Sequence, residues 1–353
     1  MYISEQLINP DANRLRLSAQ LGVERVIIDN RGTELLASDD GRWNKDKLVA
    51  YRQWIESFGL KIDVFALDVG AILLTFLVDR TAAQRHLDVL RDNIRIAAAA
   101  GMPCLKYNVQ MVGITRTALR EGRGGCRYSS FNLSEYSPDA DRQFSYWGVG
   151  YPSNQEEGGA DSSLLCGQQM ARQVPEVSEA DGWKAIEFLV SGLVPVAQEV
   201  GVRLACHPHD PAYPVGGLNG VEHVMGSLDG IARFLALSSS PVHGLNFCQG
   251  TVAEMSSDPH AAVMEAIERF GKRIFMVHFR NIKGGYLDFS EVFPDEGDVD
   301  MYQALLNYRR VGYQGPLCPD HVPVSDQDPN RERFMSFALG YTKALLQASA
   351  HQS

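Results

Sequence analysis

The chain has 353 residues, 45% of them hydrophobic and 22% charged, the make-up of a globular protein with a large core. Its net charge of −10 argues against a nucleic-acid grip, which needs clustered Lys and Arg, and against attraction to an anionic membrane surface. No apolar run reaches the roughly 18 residues that span a bilayer, the N-terminus lacks the basic and apolar regions of a secretory signal, and the six cysteines show no CxxC spacing, so a cytoplasmic protein with reduced thiols is expected.

Taken in chain order, the predicted elements alternate. Residues 23–29 (VERVIID) read as a strand, 44–60 as a helix with apolar residues near helical spacing, and 61–67 (KIDVFAL) as the next strand. A long helix over 79–101 stops at Gly101, and a strand follows at 103–108 (PCLKYN). Residues 182–200 form a helix that must accommodate Pro195 with a kink. Strands then fall at 202–208 (VRLACHP), 242–248 (VHGLNFC), 273–279 (RIFMVHF) and 315–321 (GPLCPDH), with helices between them and a closing helix over 331–349. Strands with few polar residues, each followed by a helix, give a mostly parallel sheet covered on both faces. An eighth strand is sought in 284–292 (GGYLDFSEV), and eight strands fit a single (β/α)8 TIM barrel spanning residues 1–353. Neither GxGxxG after the first strand nor a GxxxxGK[ST] loop is present, which removes the commonest nucleotide-binding sheets.

One region breaks the alternation. Residues 109–180 are rich in Gly, Ser, Tyr, Asp and Gln and carry no convincing repeat. A structureless stretch this long is uncommon in a compact domain unless it is functional. Because it follows the 103–108 strand, it rises from the C-terminal face of a barrel and is expected to act as a lid; a plain surface insertion is the alternative.

The strand ends carry the chemistry. His207, Cys248, His278 and Asp320 each stand at or near the C-terminal end of an apolar strand. In a parallel barrel those ends converge on the face that holds the active site. Imidazole, thiolate, imidazole and carboxylate around one point can bind a divalent transition ion and leave positions for substrate. Taken singly, each has a plainer reading: a hydrogen-bonded histidine, a small buried cysteine, a turn aspartate. His321 follows Asp320 and faces the site only if the strand turns there; if it does, it is a natural general acid or base. Tyr107 and Asn108 end their own strand and are expected at the same mouth, while Arg116, Arg280 and Lys283 are candidates for holding a substrate carboxylate. His209, in CHPHDP, is a candidate substrate group or a solvated loop residue.

These segments resemble the mannonate dehydratase family, whose barrel is xylose-isomerase-like. The matching pieces are KYN followed by TRT, then ACHPHDP, NFCQGT, VHFRNIK, GDVDMYQALLNYRRVGYQGP and PDH, in order from about residue 104 to 321. The resemblance implies a manganese-dependent lyase that converts D-mannonate to 2-dehydro-3-deoxy-D-gluconate, with His207, Cys248, His278 and Asp320 on the metal and His321 as the acid/base. The thiolate and imidazoles would equally suit zinc, cobalt or iron. Barrels of this kind pair up, so a homo-oligomer is expected. The chain departs from the family pattern in several substrate-side places. His209 stands where the family has an acid, Gly113 and Ile114 where it has a Trp-Asp pair, and Phe293 where it has a histidine; after PDH no tyrosine appears until Tyr341. A related polyhydroxy acid is therefore also a candidate substrate. An isomerase or epimerase of the same barrel superfamily, and a sugar-acid-binding relative without turnover, are the competing readings.

Overall fold

The structure is a computed structural model and describes residues 1–29, 38, 40–70, 72–136, 176–218 and 220–350. Twelve strands are described: β1 Tyr2–Ile8, β2 Arg25–Asp29, β3 Lys61–Ala66, β4 Cys104–Asn108, β5 Ala118–Glu121, β6 Arg127–Asn132, β7 Arg203–His207, β8 His243–Cys248, β9 Ile274–His278, β10 Ile282–Gly285, β11 Asp288–Glu291 and β12 Pro316–Cys318. The described α-helices are α1 Ala12–Gln20, α2 Lys45–Glu56, α3 Ile72–Val78, α4 Arg80–Ala99, α5 Glu179–Val200, α6 Leu228–Ala236, α7 Gln249–Ala253, α8 Pro259–Phe270, α9 Met301–Arg310 and α10 Glu332–Ala350.

Eight strands close a parallel barrel in the order β1-β12-β9-β8-β7-β4-β3-β2. The eighth barrel strand is β1, not the 284–292 segment expected from the sequence. β1 shows no apolar run because Gln6 and Ser4 hydrogen-bond to Lys106 Nζ and to the Arg25 carbonyl, while buried Glu5 pairs with Arg14 and Ser18 of α1. Residues 282–291 instead form the β10–β11 hairpin of a separate four-stranded antiparallel sheet, ordered β10-β11-β6-β5. The alternation that made 284–292 look like a barrel strand is that of a sheet with one covered face: Phe289 is buried and its ring packs on Phe131 of β6 at 6.0 Å, while Asp288 is exposed.

Among the described residues the core falls into three buried clusters, the smallest of them Cys126, Tyr128, Val292 and Phe293 beside the small sheet. The large one lies between barrel and helices; Leu48 and Ile55 of α2 and Leu87 and Ile94 of α4 are buried to within 1%. Full burial of such a side chain contributes about 1.5–3 kcal/mol. The second cluster, Ile27, Val64, Cys104, Ala205, Phe275, Met276 and Cys318, draws on the barrel strands alone. Helix starts are capped by side chains: Asp79 accepts from Ala82 N (2.9 Å) and Ser178 from Asp181 N (3.2 Å). α5 runs unbroken through Pro195, and Gly192 within it lies against Leu87 of α4, where a Cβ would overlap the leucine.

The small sheet matters because of its connections. β5 and β6 follow β4, and β10 and β11 follow β9, so the sheet joins two loops that leave C-terminal strand ends. An isolated bridge from Arg127 to Val324 ties in the segment after β12. Residues 109–136 of the expected lid are thus the β5–β6 half of this sheet and the turns around it; residues 137–175 lie outside the described residues. No helix among the described residues is long and apolar enough to cross a membrane.

Candidate active site

Side-chain direction follows from strand alternation. Ala205, Met276 and Cys318 belong to the small barrel cluster. Two residues further along β7 and β9 come His207 and His278, on the same inward face, while Asp320 follows just past the end of β12. Their strands are neighbours in the ring: His207 pairs with Asn108, and His278 with both Cys248 and Cys318. Ligand atoms of His207, Cys248 and His278 all lie within 4.8 Å of one another, a buried cluster that could hold a metal ion. Asp320 joins through His278, with Oδ2 3.2 Å from Nδ1.

The donor set fits a divalent transition ion. His207 donates Nδ1–H to the Pro208 carbonyl at 2.7 Å, which leaves the Nε2 lone pair free. Burial pushes its pKa down to about 4, so the ring is neutral at physiological pH, the form that binds metals. Burial alone would raise the Asp320 pKa, but His278, His321 and Arg280 outweigh it and hold the carboxylate well below its usual range. Asp320 Oδ1 is buried with no hydrogen-bond partner, and the approach of His278 Nδ1 to Asp320 Oδ2 lacks the alignment of a hydrogen bond, an arrangement that a cation would satisfy.

His321 reaches the same place because the chain has left β12 at Cys318 and turned. Its Nε2 lies 3.7 Å from Asp320 Oδ2 and its Nδ1 2.9 Å from Glu291 Oε2, with 26% of the side chain exposed. It is the partly accessible imidazole beside an otherwise buried cluster.

Around it lies a network of buried charge. Arg116 donates to Asp210 Oδ1 (2.8 Å) and Glu291 Oε1 (2.5 Å). Arg280 reaches Asp210 Oδ2 (3.2 Å), Glu254 Oε1 (3.0 Å), Thr251 Oγ1 (3.1 Å), Cys248 Sγ (3.5 Å) and Glu291. Burial acts on Asp210 to raise its pKa, yet Arg116 and Arg280 hold it far below its usual range. Burial and Asp210 push the Glu254 pKa the other way, upward, against the pull of Arg280 and Arg116.

Several candidates sit elsewhere than the sequence led us to expect. Tyr107 is not at the mouth: its neighbour Lys106 points inward, so Tyr107 points out among the helix-facing core, 1% exposed. Asn108 is on the inner face, half-buried, with Oδ1 accepting from Gln110 N. His209 is neither solvated nor open to a ligand: Nε2 donates to the Val109 carbonyl (3.1 Å) and Nδ1 accepts from Met225 N (3.3 Å), while burial and His223 drive its pKa well down. Arg116 and Arg280 offer no open fork, since their terminal nitrogens are engaged by buried acids and neighbouring groups; Arg280 Nε alone is buried without a hydrogen-bond partner. Lys283 is exposed on β10 of the small sheet.

Asp210, Glu254 and Glu291 were not among the sequence candidates, nor were Asn246 and Lys106. Asn246 Nδ2 lies 3.4 Å from His278 Nε2, and Lys106, with no exposure, reaches Gln6 Oε1 at 2.6 Å and Asp29 Oδ2 at 3.4 Å inside the barrel. A lysine in KYN and an acid directly after HPH were visible signals. Glu254, in the turn after a short helix, gave none.

Comparison with known proteins adds the following. A family model described as D-mannonate dehydratase (UxuA) matches residues 11–339. A mannonate dehydratase of Streptococcus uberis is 31% identical over 294 residues, covering 79% of this chain and 78% of that protein. The crystal structure of mannonate dehydratase from Streptococcus suis serotype 2 superposes with a TM-score of 0.77 at 23% identity, covering 100% of this chain and 95% of that one. A xylose isomerase domain protein from Planctomyces limnophilus shares the barrel at a TM-score of 0.57 and 13% identity.

Proposed function

The chain belongs to the D-mannonate dehydratase family, and from that premise we propose that it is a metal-dependent hydro-lyase removing water from D-mannonate, or from a closely related polyhydroxy acid, to give the 2-keto-3-deoxy acid. The observation that carries the reading is the convergence of His207, Cys248 and His278 within 4.8 Å, with His321 beside them.

His207, Cys248, His278 and Asp320 would hold the ion, manganese by family and equally zinc, cobalt or iron by donor chemistry. When bound, a divalent ion supplies positive charge that stabilises negative charge developing on the substrate carboxylate as the α-proton leaves. The protein's own part is positional. His321 stands beside Asp320 with 26% of its side chain exposed. His321 Nε2 would be the proton carrier there, taking the α-proton and passing it to the departing β-hydroxyl, which leaves as water, a step typically worth about 10²–10⁴-fold. Substrate recognition rests on groups other than Arg116 and Arg280, which are consumed by the buried acids.

The test is an end-point reaction of manganese-loaded protein with D-mannonate, analysed by mass spectrometry. A product lighter by one water, absent from His321→Asn and Cys248→Ser proteins, supports the reading. No product from protein with full metal content overturns the mannonate assignment, and an isomer of unchanged mass would move the enzyme to the epimerase class.

A further inference from the structure

Glu291 enters the site from outside the barrel. It ends β11 of the small sheet, and it is 6% exposed. Its two oxygens are divided between partners. Oε1 accepts from Arg116 Nε (3.2 Å), Arg116 Nη2 (2.5 Å) and Arg280 Nη1; Oε2 faces His321 Nδ1 at 2.9 Å.

The hydrogen in the last contact can be assigned. Burial would raise the Glu291 pKa, but His321, Arg116 and Arg280 outweigh it and keep the group ionised. An ionised carboxylate only accepts, so Nδ1 must supply the hydrogen. Arg280 Nη1 also lies 3.1 Å from Nδ1. A ring nitrogen that bears hydrogen cannot accept one, so Nη1 directs its hydrogen to Glu291 Oε1 instead. The remaining ring atom, Nε2, is the one on the Asp320 side.

We propose that Glu291 is the positioning residue of the acid/base histidine: it fixes the His321 ring with Nδ1–H on Oε2, so that Nε2 is presented to the substrate, while Arg116 and Arg280 pin the carboxylate that does the fixing. The inference rests on His321 being the proton carrier in the lyase reading. It makes the small antiparallel sheet part of the catalytic apparatus and gives the two arginines a task other than carboxylate binding. A group that orients an imidazole through its second nitrogen sets tautomer and ring angle together, and its loss lowers kcat with little effect on substrate binding.

Two variants and a double-mutant comparison test this. Glu291→Gln is expected to lower kcat by about 10²–10⁴-fold with KM nearly unchanged. Glu291→Asp keeps the charge opposite the arginines but shortens the reach, and serves if the glutamine protein fails to fold. In a His321→Asn background, either change should have no further effect on kcat, because the group it acts through is gone. A further drop by the same factor as in wild type would overturn the proposal.

A second readout needs no turnover. On diamagnetic, zinc-loaded protein, long-range nitrogen–proton correlation of the imidazoles, with His321 assigned by its absence in His321→Asn, should show a hydrogen held on Nδ1 in wild type. That signal should be lost or mixed with the Nε2–H form in the Glu291 variants. An unchanged His321 signal in a folded variant sinks the positioning role even if dehydration is seen. Wild-type protein with the Nδ1–H signal but no dehydration would sink the lyase reading alone.

Discussion

His207 turns its Nδ1–H onto the Pro208 carbonyl, and that one 2.7 Å bond decides which ring atom is left for a cation. His278 needs an equivalent partner. Asn246 Nδ2 lies 3.4 Å from its Nε2, and the Asn246 Oδ1 is buried without a partner. A half-turn of the amide places Oδ1 as acceptor for Nε2–H, which frees Nδ1 for the ion. Asn246→Ala is therefore expected to weaken metal binding by about 10–100-fold, the usual effect of losing such a supporting contact. Equilibrium titration with a metal-ion indicator checks this, and an affinity equal to wild type would show that Asn246 has no part in holding His278. Cys248→Ser replaces a soft thiolate by a hydroxyl that stays protonated. Metal content after dialysis should fall well below one ion per chain, measured by elemental analysis, with activity falling in proportion. The arginines belong to the same scale. Arg280→Met leaves Asp210 and Glu291 short of a counter-charge in a buried place, and breaking such a pair from one side costs about 3–5 kcal/mol. Urea unfolding midpoints read that loss.

The short helix α7 starts directly after Cys248, and its second residue is Gly250. A Cβ there would overlap the Arg280 guanidinium. Elsewhere a long side chain could swing aside, but Arg280 is tied to Asp210, Thr251, Glu254 and Glu291 at once. Gly250→Ala should then cost about 1–3 kcal/mol, as overpacking does, and should lower kcat through Arg280 and Glu291. Retention of full stability and activity would mean that the network gives way easily. The same elements explain what could be read in advance. Seven barrel strands and the helices between them were legible because each strand is an apolar run closed by polar residues. β1 was not, because its buried polar groups Ser4, Glu5 and Gln6 find partners on other strands and on α1, which no local pattern reveals. That His207, Cys248, His278, Asp320 and His321 come together could be foreseen because strand ends in a parallel barrel meet. The acids that organise them could not. Asp210 and Glu254 lie between the regular elements, Glu291 ends a strand outside the barrel, and the Arg116–Glu291 contact joins residues 175 positions apart in sequence. His209 misled for the reverse reason: an imidazole one residue from a ligand motif looks functional, and only the fold shows both its nitrogens on the backbone.

At the scale of the whole barrel, the candidate metal cluster draws on three neighbouring strands, β7, β8 and β9, and Asp320 after β12 extends it to a fourth. An ion that binds the folded chain alone stabilises it by about 2.7 kcal/mol at a hundredfold excess over its dissociation constant. Removing it with a chelator should lower the unfolding temperature by several degrees and leave the far-ultraviolet circular dichroism of the native state unchanged. No shift in a protein that binds the ion would mean that the unfolded chain holds it equally well. Acid should act through Asp210. Its pKa is depressed in the folded state, so its contribution is present above the unfolded value of about 3.9 and is lost as pH falls through and below that value. Denaturant midpoints should therefore drop between pH 5 and pH 3, and a flat profile there would show that the buried pairs contribute nothing to stability. The closure of the ring has one more consequence. Tyr2 and Ile3 are hydrogen-bonded neighbours of Pro316 and Leu317, so the first strand made meets one of its two partners only when the last strand emerges. At about 5–20 residues per second of synthesis, that edge stays open for roughly 15–60 s on the ribosome. Asp320 and His321 arrive in the same instant as the closing strand. The nascent chain thus has no finished centre to misuse: competence to bind an ion fully and to move a proton appears together with the seal of the barrel, and any cellular quality control that senses the open edge senses an enzyme not yet switched on.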